Sequence, residues 1–103
     1  MADLNGKWRF TIISMMGEMY SQYTFKTDGT ALSGETFDEA TGETTPFEGG
    51  KYENNKFHFN ITVKLPFGIM PFEIEGEYKE DDTLVGTSSM PMGVSNFTAV
   101  RME

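Results

Sequence analysis

The chain has 103 residues, no cysteine and a formal net charge of −8. That length provides for one folded domain, residues 1–103, with a single core. The lack of cysteine excludes disulfides, thiolate metal sites and a cysteine nucleophile, and the acidic balance argues against nucleic acids and anionic membrane surfaces as partners.

Four short strands are predicted in the first half of the chain, because one side of each has apolar or small residues at every second position. The third strand follows an Asp28-Gly29 turn, and the fourth is the weakest because Pro46 interrupts it. The residues expected to share the inner face are Trp8, Phe10 and Ile12; Met19, Ser21, Tyr23 and Phe25; Leu32, Gly34 and Thr36; and Thr45, Phe47 and Gly49.

The second half of the chain has the clearest alternation, from Lys56 to Phe67, and the next run repeats it up to Tyr78. These two strands form a predicted hairpin. One register that keeps like faces together sets Lys56 beside Glu77 and His58 beside Glu75. Two further strands are predicted. The inward-facing residues are expected to be Leu84, Gly86, Ser88 and Met90 in the seventh strand, and Phe97, Ala99 and Arg101 in the last.

Eight short strands at roughly 12-residue spacing, joined by sequential turns, predict an all-β fold: a closed antiparallel up-and-down barrel. No segment has the 3.6-residue period of a helix. Glycines expected to face inward, Gly34, Gly49, Gly76 and Gly86, suit a barrel, where strands coil sharply and inner space is short. A β-sandwich is the alternative fold.

The two ends of such a barrel differ in chemistry. The second, fourth and sixth connections are short and polar, and they lie at the end that contains Trp8. We call this the tryptophan end, and the opposite, open end the methionine end. Six of the eight methionines lie in or beside the connections of the methionine end: Met15, Met16, Met19, Met70, Met90 and Met92.

Turns normally avoid such residues, and three explanations stand side by side. The loops fold inward and cap the core, or they line the mouth of an apolar cavity, or a second chain covers them. The leading hypothesis is a module that binds a small apolar or aromatic molecule at this end. Its predicted ligand-binding residues are Ser14, Met15, Met19, Ser21, Tyr23, Phe67, Met70, Ser88, Met90 and Met92.

The alternative functions are a protein-interaction or homo-oligomerisation module that uses the same loops and, with least support, a small barrel isomerase, cyclase or lyase. Such an enzyme would need a carboxylate of the mouth as its base, from Glu18, Asp38, Glu39 or Glu43. His58 is the only histidine and is expected to point outward, so neither a metal site nor a cofactor is predicted. No catalytic residue is assigned.

The layout resembles the calycin superfamily of lipocalin-like and avidin-like barrels. The matching elements are Gly6-Lys7-Trp8 in the first strand, residues 28–34 entering the third, and Arg101 in the last. The resemblance implies that Trp8 plugs one barrel end and that Arg101 lies across it as a cation–π contact. Biotin binding is not implied, since Phe10 stands where an asparagine is needed and Thr36 where a tyrosine is needed.

The first six residues have neither a basic patch nor an apolar run, so no signal peptide is predicted. No stretch approaches the roughly 18 apolar residues of a membrane helix. The expectation is therefore a cytoplasmic protein whose partner is a small apolar molecule or a second copy of itself, and neither a membrane nor a nucleic acid.

Overall fold

The computed structural model of the protein describes residues 3–14, 17–39, 41–65, 68–91 and 93–102. The described part of the chain is built from β-strands joined by short connections. The strands are β1 (Gly6–Ser14), β2 (Gly17–Asp28), β3 (Ala31–Asp38), β4 (Thr44–Glu53), β5 (Lys56–Leu65), β6 (Gly68–Tyr78), β7 (Thr83–Met90) and β8 (Gly93–Arg101).

The strands form a closed barrel in which each pairs antiparallel with its neighbours along the chain, and β8 pairs back onto β1. The predicted up-and-down barrel is confirmed, and the β-sandwich is excluded. Closure supplies a partner strand on both sides of every strand, which removes the exposed edges that promote aggregation. No helix in the described residues is long and apolar enough to cross a membrane.

The β5–β6 hairpin has the register that the alternation indicated. Lys56 lies opposite Glu77, and His58 lies opposite Glu75. Phe57, Phe59 and Ile74 point inward from the same two strands and are at most 2% exposed. The apolar alternation limits the pairing to registers of this kind, because a shift by one residue would move those side chains into water.

Strand β4 corrects one detail of the predicted inner face. The β3–β4 ladder steps by two residues on β3, from Leu32 to Gly34, and by three on β4, from Gly50 to Phe47. The extra residue is a bulge, and Gly49 adopts a φ of 79° there, which favours glycine. Gly49 is therefore exposed, and Gly50 is the buried glycine of this strand.

Aromatic rings fill the middle of the barrel. Phe47 and Phe59 stack with ring centroids 4.0 Å apart, and Phe10 contacts Tyr23 at 4.3 Å and Phe97 at 4.7 Å. The buried apolar residues form one cluster, which consists of Leu4, Trp8, Phe10, Tyr23, Phe25, Leu32, Phe47, Tyr52, Phe57, Phe59, Ile61, Ile74, Leu84, Phe97 and Ala99. Burial of this cluster is the main source of stability.

Room for these rings comes from glycines on the inner wall. Gly86 of β7 lies between Gly76 of β6 and Phe97 of β8. A Cβ atom on Gly86 would overlap the backbone oxygen of Glu75 and would lie 2.6 Å from Cα of Gly76 and 2.8 Å from the Phe97 ring. Two of these three neighbours are backbone atoms, so rotation of a side chain cannot relieve the overlap.

We therefore expect Gly86→Ala to destabilise the barrel by about 3 kcal/mol, the upper part of the range for overpacking. Ser89→Ala, at a partly exposed outward position of the same strand, is the control and should change the free energy of unfolding by less than about 0.5 kcal/mol. Urea unfolding followed by Trp8 fluorescence measures both variants. Equal stability of the two would show that the β6–β7 wall can move apart freely.

Candidate functional site

The tryptophan end is closed by Trp8, whose side chain is fully buried. Its indole Nε1 donates a hydrogen bond to the Leu4 carbonyl oxygen at 3.0 Å. The Arg101 guanidinium lies 4.2 Å from the ring centroid, so the expected cation–π contact is present. Tyr78 packs edge-on against the same indole, with centroids 5.5 Å apart.

Arg101 also ties the first residues of the chain to the last strand. Its guanidinium donates hydrogen bonds to the carbonyl oxygens of Asn5 at 2.9 Å and Asp3 at 2.7 Å, and to the Tyr78 hydroxyl at 3.0 Å. Arg101 and Asp82 form an ion pair at 3.2 Å. Hydrogen bonds from Tyr78 and Arg101 hold the pKa of Asp82 below its usual value. The tryptophan end is thus closed by side chains.

The methionine end has a different interior. The three buried polar residues of the described chain, Thr36, Ser88 and Ser95, all lie in the half of the barrel nearest this end. Ser88 and Ser95 face each other across the β7–β8 ladder. Tyr23 lies opposite Thr36 across β2 and β3, and their side chains are hydrogen bonded. Small hydroxyl side chains therefore replace aromatic rings towards this end.

Tyr23 links the aromatic core to the hydroxyl groups. Its ring contacts Phe10 and lies 5.7 Å from Phe59. Burial raises the pKa of the Tyr23 hydroxyl to about 12; the Thr36 hydrogen bond opposes this shift, and the charge of Asp38 adds to it. The hydroxyl therefore stays neutral at physiological pH.

The described methionines of the predicted site lie at the rim of this interior. Met70 and Met90 are half-buried at inward positions of β6 and β7, and Met19 is 47% exposed opposite Ile12. Ser21 is half-buried on β2. Met15, Phe67, Met92 and the side chain of Ser14 lie outside the described residues.

The outer surface around the methionine end is apolar as well. Ile69 is 71% exposed, Val94 67% and Ile13 52%. They lie on β6, β8 and β1, each within two residues of a strand end at this side of the barrel. We call these three residues the apolar rim. From the sequence, Ile69 and Val94 were expected in the apolar connections of the methionine end, but none of the three was among the predicted ligand-binding residues.

Two of the carboxylates near the mouth, Glu39 and Glu18, have ordinary partners. Arg9 bonds Glu39 at 3.0 and 3.2 Å and lies 4.5 Å from the centroid of the Tyr20 ring. Tyr20 donates its hydroxyl to Glu18 at 2.6 Å. The hydrogen bond from Arg9 is the main reason that the pKa of Glu39 lies below its usual value, which is opposite to the shift that a catalytic base requires.

A shallow groove of about 340 Å³ lies on the wall beside the methionine end. It runs over β5, β6 and the end of β7. Its lining combines polar with apolar side chains: Asn60, Ile61, Thr62, Pro71, Phe72, Glu73, Ser89, Met90 and Pro91. Met90 is the one residue that it shares with the predicted ligand-binding set.

Arg101→Gln tests the closure of the tryptophan end. We expect it to lower the free energy of unfolding by about 2–3 kcal/mol, because the ring contact and the hydrogen bonds to two carbonyl oxygens are lost together. Arg9→Gln is a matched control, since Arg9 also has a ring contact and a carboxylate partner but is exposed; its effect should be much smaller. Urea unfolding of both variants measures the difference, and equal losses would contradict the role of Arg101.

Tyr23→Phe tests the buried hydroxyl through pH. Between about pH 10 and about pH 12 an unfolded tyrosine loses a proton that folded Tyr23 retains, so stability falls as pH rises through this window. The loss due to Tyr23 is about 2–3 kcal/mol. Tyr23→Phe should therefore lose less stability between about pH 9 and about pH 11.5 than the parent. In Tyr20→Phe the difference should be much smaller, because the hydrogen bond to Glu18 that raises the pKa of Tyr20 is exposed to solvent. Parallel declines of parent and Tyr23→Phe in urea unfolding would contradict the assignment.

Comparison with known proteins supports the fold and gives no information on the function. No protein-family model and no curated protein matches the chain. A solved structure of a redesigned β barrel, b11L5F_LGL, superposes with a TM-score of 0.76 at 17% sequence identity, over 97% of this chain and 92% of that one. At this identity the likeness supports the closed eight-stranded barrel and carries no information on a ligand.

Proposed function

We propose that the protein binds a small, largely apolar molecule at the methionine end of the barrel. The observation that carries this proposal is the distribution of buried polar groups: Thr36, Ser88 and Ser95 all lie towards one end of an otherwise aromatic and aliphatic interior. Ligand sites are typically apolar with a few converging polar groups, and this end of the barrel has that combination.

The contact surface of the proposed site comes from side chains that adapt their shape. Met70 and Met90 are half-buried above the hydroxyl groups, and Ile12 and Phe72 pack against the core beside them. Methionine has three rotatable bonds and a polarisable sulfur, so it accommodates ligands of irregular outline. An apolar or aromatic ring of the ligand would lie against these side chains.

Orientation of the ligand would come from the hydroxyl groups. The hydroxyls of Thr36 and Ser88 can both donate and accept a hydrogen bond, so they suit a carbonyl, hydroxyl or amide group. The net charge of −8 and the nearby Asp38, which raises the pKa of Tyr23, disfavour an anion. We therefore expect a neutral or cationic ligand with one hydrogen-bonding group.

The resemblance to lipocalin-like and avidin-like barrels supports the proposal by analogy, since those barrels hold ligands at one end. The short chain argues for a smaller ligand than a typical lipocalin takes, because the aromatic cluster fills the middle of the barrel. Membership of the calycin superfamily stays a prediction, as does a cytoplasmic location.

Self-association through the apolar rim is the second candidate function. Ile69, Val94 and Ile13 point away from the core and are each more than half exposed. Exposed apolar groups that cluster on one side commonly mark a protein contact. A second copy of the chain would cover them, and a stable dimer would need about 800 Å² of buried surface on each copy.

The proposed function is tested with Nile red, a neutral apolar dye whose fluorescence rises in apolar surroundings. We expect the parent protein to bind one dye per chain and Met70→Gln/Met90→Gln to bind it at least about tenfold more weakly, because two polar amides replace apolar contacts. Met102→Gln is the matched control. Met102 is 42% exposed, and its backbone N–H donates a hydrogen bond to the carbonyl oxygen of Lys7, at the tryptophan end of the barrel.

Native mass spectrometry of protein purified without refolding separates the two candidates. A monomer with an additional small-molecule mass supports the binding site, and the released mass begins to identify the ligand. A ligand-free dimer that dissociates in Ile69→Lys supports self-association instead. If the double variant Met70→Gln/Met90→Gln binds Nile red as tightly as the parent does, the proposed site is contradicted.

A further inference from the structure

The outer wall of the β5–β6 hairpin has a group of three side chains that can bind a metal ion. His58 of β5 lies directly opposite Glu75 of β6, and Glu73 is the diagonal neighbour on the same face. One ligand atom from each of the three lies within 4.8 Å of the others. His58 Nε2 and Glu73 Oε1 lie 3.7 Å apart.

These distances are close to what a zinc ion requires. Zinc bonds to histidine nitrogen and carboxylate oxygen of about 2.0–2.2 Å place neighbouring ligands about 3.3 Å apart in a tetrahedron. The separation of 3.7 Å between His58 Nε2 and Glu73 Oε1 is close to this value. The widest separation between ligand atoms of the three residues exceeds it by no more than about 1.5 Å. Rotation of two exposed glutamate side chains covers that difference without any movement of the backbone.

The backbone beneath the three residues is held firmly. The β5–β6 ladder has ten paired positions, from Lys56 opposite Glu77 to Leu65 opposite Gly68. Phe59 and Ile74, which alternate with the ligand residues, are buried in the core. Rigid strands that fix the starting points of the side chains lower the entropy lost when a metal binds.

Charge along the hairpin also favours a cation at this position. Three glutamates in a row, Glu73, Glu75 and Glu77, face outward from β6. The β5 residues paired with them carry less positive charge towards the methionine end: Lys56 lies opposite Glu77, His58 opposite Glu75 and Asn60 opposite Glu73. On the other side, β7 offers Val85, Thr87 and Ser89, none of which is a cation. Glu73 and Glu75 therefore have no lysine directly opposite them, whereas Glu77 has Lys56.

Three other carboxylate groups of the described chain have a lysine or arginine partner, those of Glu39, Glu77 and Asp82. Arg9 holds Glu39, and Arg101 holds Asp82. Among the described residues, no lysine or arginine forms an ion pair with Glu73 or Glu75. Two lysines lie nearby in the register: Lys56 of β5 is the diagonal neighbour of Glu75, and Lys51 of β4 lies opposite His58. A divalent ion would supply the missing charge directly between the two carboxylates.

We infer that His58, Glu73 and Glu75 form a binding site for a divalent transition-metal ion of the zinc class. The ligand set of one imidazole and two carboxylates suits zinc, which takes both donor types. Three protein ligands leave a fourth position for water or for an oxygen donor of another molecule. Glu73 also lines the shallow groove of about 340 Å³, so such a molecule would have a surface to lie on beside the metal.

The test is isothermal titration calorimetry of the protein with zinc chloride at about pH 7.5, in a buffer that does not bind zinc. We expect one zinc ion per chain. His58→Asn and Glu75→Gln should each weaken binding at least about tenfold, because each removes one of three ligands. Glu77→Gln is the matched control, since Glu77 lies on the same face of the same strand but outside the group of three, and it should bind zinc as the parent does.

A second measurement follows the imidazole directly. His58 is the only histidine, so its ring nitrogen signals in a long-range ¹H–¹⁵N spectrum are unambiguous, and stoichiometric zinc should shift them. Thermal melting of each variant without zinc establishes that the fold is intact. The inference is overturned by unshifted ring signals, by absence of binding at about 1 mM zinc, or by equal weakening in Glu77→Gln. None of these outcomes depends on ligand binding at the methionine end.

Discussion

The pairing of β1 with β8 is the constraint on which the rest of the structure depends. Six residue pairs close the barrel, from Trp8 opposite Arg101 to Ile13 opposite Asn96. This register brings the first and last strands together so that the guanidinium of Arg101 lies over the indole of Trp8. The same contact covers one end of the barrel and anchors Asp3 and Asn5. Closure of the wall and closure of the end therefore depend on the same β1–β8 register.

A closed wall of short strands has a narrow interior, and this limits what each position can hold. Rings stack in the middle because Gly76 and Gly86 have no side chain there: a Cβ on Gly76 would lie within 3.0 Å of several Phe57 ring atoms. Side chains near the methionine end are smaller and partly polar. The strands alternate between this interior and an outer wall that has its own chemistry, so one hairpin contributes Phe59 to the core and His58 to the surface.

The alternation in the sequence was enough to predict the closed barrel, and the observed β5–β6 register was one of those that keep like faces together. The contact of Trp8 with Arg101 was implied by the resemblance to lipocalin-like barrels. The alternation failed at Gly49, because a bulge adds one residue to β4 and reverses which side its following residues face, and no local pattern marked that insertion. Glu73 and Glu75 belonged to no predicted site, and no metal site was predicted. The register with His58 was available from the sequence, but the convergence of the three side chains depends on rotamers and on twist, which a period of two does not specify.

The difference in side-chain composition between the tryptophan end and the methionine end has a physical reason. Stability in a chain of this size must come from a compact aromatic cluster and from the closure at the tryptophan end. Those contacts leave the methionine end free to hold hydroxyl groups and exposed apolar side chains that add little to stability. Natural proteins often have functional sites that are locally suboptimal for folding. Thr36 and Ser88 at buried positions, and Ile69 and Val94 at exposed ones, are locally suboptimal in this sense, and their concentration at one end is the observation on which the proposed binding site rests.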